Sequence, residues 1–174
     1  MQFRNEKDKI LIVDFGSQVT KLIARRIREL GVYSEIITPV KLNKIKDYQN
    51  VKGFIFSGGP STVTKEKFQS IPKKIFDENI PILGICYGLQ LIAKIFGGKI
   101  KPSKKRREFG RAYIFQKKSS LLTKKFIKSK TSVWMSHEDA VVKLPRKFKI
   151  IASTKNSNLT IIENSESKIY GVQF

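Results

Sequence analysis

The sequence predicts an α/β protein: a mostly parallel open sheet flanked by helices in three layers, with a small antiparallel sheet in the C-terminal part. Ile10-Leu11-Ile12-Val13 is an unbroken apolar run, as expected of a strand covered on both faces in a parallel sheet. Up to Gly98, runs of this kind alternate with segments of helical period, the strand, helix, strand rhythm of parallel sheets. From Arg111 onward short runs replace that alternation and suit both an extension of the main sheet and a smaller antiparallel one.

After the first strand, Ser17 offers a cap to a helix in which Val19, Leu22, Ile23, Ile27 and Leu30 keep the period and Gly31 supplies the stop. Tyr33 to Ile37 is the second strand and Gly53-Phe54-Ile55-Phe56 the third, with Leu42, Ile45 and Tyr48 between them in one or two helical turns. Ser57-Gly58-Gly59-Pro60 then sets paired glycines at a strand's carboxyl end, where open α/β sheets place their ligands. An ordinary tight turn would use the same residues. Pro72 to Glu78 reads as a helix feeding a strand at Ile80 to Leu83, and Leu89 to Phe96 as the helix that follows, ended by Gly97-Gly98. The later strands are Ala112 to Phe115, Val133 to Met135, Ile150 to Ser153, Leu159 to Ile162 and Ile169 to Gln173.

Cys86 falls on the turn between the strand and the helix, flanked two residues either side by Gly84 and Gly88. Small residues there permit a sharp elbow, the logic of the serine elbow Gly-x-Ser-x-Gly. A thiol at that turn would sit at the positive end of a helix dipole, which favours thiolate. The Tyr87 N–H, just past it, is placed to donate to an oxyanion. A lone cysteine among apolar residues also suits a buried small side chain.

The length of 174 residues fits one domain, with a polar lead over residues 1–8 and a single domain over 9–174. No apolar run is long enough to cross a bilayer and Met1 to Lys9 lacks a signal-peptide core, so a cytoplasmic protein without membrane contact is expected. One cysteine forms no internal disulfide, and no Cys/His cluster suggests a metal. The formal charge of +21 comes mostly from lysines dispersed along the chain, the pattern of a solvated surface. The densest cluster, Lys99 to Arg107, has no interleaved aromatics for stacking on bases, so a loop or interdomain contact is expected there and no specific nucleic acid.

Gly84-Ile85-Cys86-Tyr87-Gly88-Leu89-Gln90 resembles the Gly-x-Cys-x-Gly-x-Gln signature of the class I (triad) glutamine amidotransferases, and Ser57-Gly58-Gly59-Pro60 the oxyanion loop of that family. Asp14-Phe15-Gly16-Ser17-Gln18, Glu108-Phe109-Gly110, Trp134-Met135-Ser136-His137-Glu138-Asp139 and Tyr170-Gly171-Val172-Gln173-Phe174 make the chain most similar to the branch found in GMP synthases. The resemblance implies a flavodoxin-like core and hydrolysis of glutamine through a Cys86 thioester. It implies oxyanion donors at Gly59 and Tyr87, and a substrate pocket with Gly58, Gln90, Ser136 and His137. It implies no cofactor in this domain. ATP and Mg would belong to a synthetase (ATP-pyrophosphatase) domain or subunit, absent from this sequence, that uses the ammonia to convert XMP to GMP.

The family takes its general base from a Gly-x-Gln-Phe-His-Pro-Glu motif, and this sequence stops at Phe174. Impaired turnover of the 174-residue chain is therefore expected, whether from a truncated gene, a split gene or a fragment. His137, although it has acidic neighbours, belongs by resemblance to the substrate side and not to the base. Two alternatives stand beside this reading: an amidotransferase subunit of another pathway, such as anthranilate synthase, and a catalytically silent binding or regulatory subunit.

Overall fold

The computed structural model describes residues 8–64, 69, 71–102, 108–125 and 130–174. Eleven strands and three α-helices follow one another among them: β1 (Lys9–Val13), α1 (Thr20–Glu29), β2 (Ser34–Ile37), α2 (Pro39–Leu42), β3 (Val51–Phe56), β4 (Ile82–Ile85), α3 (Tyr87–Ile95), β5 (Lys99–Pro102), β6 (Glu108–Gln116), β7 (Lys130–His137), β8 (Asp139–Lys143), β9 (Lys149–Ser153), β10 (Ile161–Asn164) and β11 (Ile169–Val172). Nine strands form one sheet in the order β2-β1-β3-β4-β11-β10-β9-β6-β7, and β5 pairs with β8 in a second, antiparallel sheet. The first five in that order run parallel and the remaining four alternate.

The apolar runs behave as a doubly covered sheet requires. Leu11 and Val13 lie level with Phe54 and Phe56, and these four side chains pack with Leu89 and Ile92 of α3 in the main core. The alternate positions Ile10 and Ile12 lie level with Ser34 and Ile36, and Ser34 Oγ donates to the Ala24 carbonyl of α1 at 3.2 Å, so α1 covers the opposite face. A second cluster gathers Ile114, Met135, Ile151, Ile161 and Val172 under the antiparallel half.

Several local expectations are corrected. Ser17 does not cap α1: the helix begins at Thr20 with Val19 as its N-cap and no capping side chain, while Ser17 Oγ accepts the Val19 N–H at 3.2 Å in a tight turn. The buried residues of α1 are Thr20 and Ala24, whereas Val19, Leu22 and Leu30 are exposed, because the helix backbone lies close to β2 and small residues fill the contact. Pro72 to Glu78 holds only a 3₁₀ turn, Lys73–Phe76, that buries Ile75. Part of the basic cluster, Lys99 to Pro102, is β5 rather than loop, zipped onto β8, and residues 103–107 lie outside the described residues.

β11 enters the sheet between β4 and β10 instead of at an edge. This puts Val172 level with Ile85 and carries the following residues to the carboxyl end of β4.

Candidate active site

Cys86 sits between β4 and α3 with φ 49° and ψ −101°, as N-cap of the helix. A non-glycine residue at positive φ is strained by contact of Cβ with its own backbone, so the surroundings must hold it there. They do so from three sides. The Cys86 N–H donates to Val172 O at 2.7 Å, tying the elbow to β11. A Cβ added at Gly84 would lie 2.6 Å from the Gly88 main chain and from Ile92 Cδ1, so the absence of a side chain lets α3 descend onto the sheet. A Cβ at Gly88 would meet Phe56 O at 2.3 Å, so the helix start also presses on β3.

Around the sulfur, the Gln173 side-chain amide donates to Sγ at 3.5 Å, and the thiol lies 3.7 Å from Ser136 O. Burial pushes the Cys86 thiol up; the Tyr87 N–H and Gln173 pull it down less strongly, and the Asp139 carboxylate adds to the rise. Removal from water outweighs the two hydrogen bonds that favour the thiolate.

The loop after β3 stands beside the sulfur. The ideal Cβ position at Gly58 is 3.8 Å from Cys86 Cβ, and one at Gly59 would be 2.5 Å from Phe15 O, so glycine is needed for the two loops to touch. Those loops are cross-braced. The Phe15 N–H donates to Ser57 Oγ at 3.0 Å, and Asp14 Oδ1 accepts from the Gly16 N–H at 2.9 Å and from Thr20 Oγ1 at 2.8 Å.

A cavity of about 480 Å³ opens here, lined by Gly59, Cys86, Tyr87, Gln90, Ser136 and His137 among others. It lies at the carboxyl ends of the parallel strands, beside the point where β1 and β3 lead off in opposite directions, the usual ligand position of such sheets. A depression of about 550 Å³ near Tyr48 and Pro81 lies at the opposite strand ends, away from the thiol. Gln90 Nε2 donates to Asp139 O at 3.0 Å, fastening α3 to the segment after β7. Thr62 Oγ1 donates to Asp139 Oδ2, closing the rim.

His137 is brought to the cavity but turned away from the sulfur. Its Nδ1 lies 3.1 Å from Asp139 O and its Nε2 3.5 Å from Glu108 Oε2, with both side chains almost fully buried. Among the described residues, no imidazole touches Cys86. Two contributors to the site had no role in the sequence reading. Gln173 lies 87 positions from the thiol it meets, and Glu108 is a buried carboxylate partner for the histidine. Gln173 had a local signal in the run Tyr170 to Phe174, and Glu108 one in the run Glu108 to Gly110, but neither run disclosed what it would face.

A cysteine held at a strand-to-helix elbow, beside a glycine loop and at the carboxyl ends of a parallel sheet, has the arrangement of a nucleophile elbow, which suits acyl transfer. The glutamine amidotransferase class-I family model matches residues 11–174, and the chain belongs to that family. It is 48% identical over 173 residues to the GMP synthase [glutamine-hydrolyzing] of Treponema denticola, covering 99% of this chain and 32% of that protein. It is 44% identical to that of Staphylococcus epidermidis (strain ATCC 35984), over 100% of the chain and 33% of the relative. The chain thus spans about a third of the length of these curated relatives. Among solved structures, that of a Thermoplasma acidophilum protein named for GMP synthase superposes with a TM-score of 0.85 at 33% identity, covering 95% of this chain and 82% of that one. A Thermotoga maritima glutamine amidotransferase shares the fold, with a TM-score of 0.79 at 20% identity over 95% and 74% of the two chains.

Proposed function

We propose that the chain is the glutamine-hydrolysing part of a GMP synthase. Cys86 attacks the side-chain amide carbon of glutamine, and the carbonyl oxygen takes the negative charge between the N–H groups of Gly59 and Tyr87. The carbon–nitrogen bond breaks as the nitrogen takes a proton and leaves as ammonia, giving a γ-glutamyl thioester. Water adds to that carbon, glutamate departs, and the sulfur recovers its proton. Gly58, Gln90, Ser136 and His137 form the glutamine pocket, His137 through the main-chain shape that its contact with Glu108 holds. The ammonia passes to a synthetase domain or subunit, where ATP and Mg activate XMP for amination to GMP.

The observation that carries the reading is the strained Cys86 elbow opening into a cavity beside Gly59. A diazoketone analogue of glutamine should alkylate Cys86, and excess glutamine should protect it. An unreactive thiol in folded protein, or labelling indifferent to glutamine, rejects the assignment.

A second reading, a binding subunit that does not turn glutamine over, draws on the raised thiol and on a histidine committed to Glu108. Attack needs the thiolate, and general acid–base catalysis typically contributes about 10²- to 10⁴-fold. With no imidazole against Sγ among the described residues, ammonia release by the chain alone is expected to be slow. Measuring ammonia release at matched folding, with and without a synthetase, separates the readings.

A further inference from the structure

We infer that the exposed face of the β6–β7 hairpin is the surface on which the ammonia-accepting synthetase docks, an inference that rests on the amidotransferase reading of the cavity beside it. Alternation along β6 turns Phe109, Arg111, Tyr113 and Phe115 outward. Register sets them opposite Ser136, Trp134, Ser132 and Lys130 of β7, the outward side of its partner. The inward residues Ile114 and Met135 are completely buried, so this sheet has one covered side and one free side. A sheet of that kind ordinarily shows polar residues to water. Here Trp134 is 72% and Phe109 61% exposed, and Tyr113 and Phe115 are exposed beside them. Four neighbouring aromatics with an arginine have the composition of an interface centre.

Three features on this face identify the occupant. The face starts at the rim of the active site, since Phe109 and Ser136 also line the cavity of Cys86. A body seated on it stands where ammonia leaves and touches the strand whose main chain reaches Sγ. The outward charges along the two strands, Arg111 and Lys130, are both positive, and Lys155 joins Arg111 and Tyr113 around an adjoining groove of about 340 Å³. Glu108 also lines that groove but is 7% exposed and faces His137, so the face shows mainly positive charge and the complementary surface is acidic. The geometry favours a protein over single-stranded nucleic acid. Lys130 Nζ already lies 4.1 Å from the centre of the Tyr113 ring, covering a face that a base would stack on. In addition, among the described residues β7 is the edge strand of the sheet, where main-chain groups are open for pairing.

Trp134 is the chain's one tryptophan, so its emission reports this face directly. The probe is the part of the Treponema denticola enzyme that this chain does not match, purified and checked for folding by circular dichroism. Titrated into the full 174-residue chain, it should shift Trp134 emission to the blue and saturate. Tyr113→Ser with Phe115→Ser should weaken binding at least about tenfold, the loss expected at an aromatic hot spot, and Arg111→Glu should weaken it further at low salt. Leu30→Ser, at the exposed end of α1, should leave it unchanged. Binding with unaltered Trp134 emission and no effect of these variants overturns the surface while the amidotransferase reading stands. Absence of binding also overturns it, and alkylation of Cys86 by the glutamine analogue then judges the catalytic reading independently. A shift produced by single-stranded oligothymidylate but not by the synthetase assigns the face to nucleic acid and rejects the inference. A shift that grows with the chain's own concentration assigns it to a second copy and does the same.

Discussion

Gly88→Ala tests the link between packing and chemistry most directly. The new Cβ would lie 2.3 Å from Phe56 O, 2.8 Å from Phe56 Cβ and 2.9 Å from its carbonyl carbon. Ordinary contact begins at 3.4 Å. Phe56 cannot yield, because it is paired on one side with Val13 of β1 and on the other with Gly84 of β4. The start of α3 must therefore move, and it carries Cys86, the Tyr87 N–H and the Gln90 contact to Asp139 with it. Overpacking of this kind costs about 1–3 kcal/mol. For a chain of this size each kcal/mol lowers Tm by about 2–4 °C, so a fall of several degrees is expected in calorimetry. Displacement by about 1 Å at a reacting centre costs on the order of 100-fold in rate, and alkylation of Cys86 by a glutamine-like electrophile should slow accordingly. Gly97→Ala is the control. Its Cβ meets nothing within 4 Å, but its φ of +79° makes alanine strained, so it should lower Tm by a few degrees while leaving the alkylation rate alone. Gly88→Ala protein with native Tm and native labelling rate would refute the claim that this contact positions Cys86.

The remaining predictions concern protons and the buried pair. Burial raises the Cys86 thiol, so its alkylation by iodoacetamide should rise with pH through an inflection above the ordinary thiol value. The stability that burial lends the neutral thiol is kept below the unfolded pKa and lost as pH climbs through the elevated folded one. Gln173→Leu, which removes a hydrogen bond to sulfur, should move that inflection further up; a downward move would contradict the contact. His137→Gln should leave the iodoacetamide profile where it is, since the imidazole faces Glu108 and not Sγ, and a displaced profile would make His137 the base. Glu108→Ala leaves His137 buried beside a void, at a cost of about 1–3 kcal/mol, and should weaken protection of Cys86 by glutamine more than it slows simple alkylation.

The sequence by itself determined the parts whose cause is local. The run Ile10 to Val13 is apolar at every position, as a strand covered on both faces is, and it is β1. Gly84, Cys86 and Gly88 needed no partner to announce a tight turn, because a turn that crowds its own neighbours demands small ones. The helix at Pro72 to Glu78 failed for the complementary reason: its composition allowed a helix, but packing holds only one tight turn around Ile75. The loop expected over Lys99 to Pro102 failed likewise, since nothing near those residues reveals that Asp139 to Lys143 will pair with them. Tertiary structure alone decided that β11 would enter the middle of the sheet and bring Gln173 to the sulfur, that His137 would turn to Glu108, and that burial would push the Cys86 thiol up. Each is set by groups far apart in the chain. The protonation of a thiol is a sum over everything that displaces water from it, and strand order is chosen by the burial of whole faces, so neither is carried by the residues alongside.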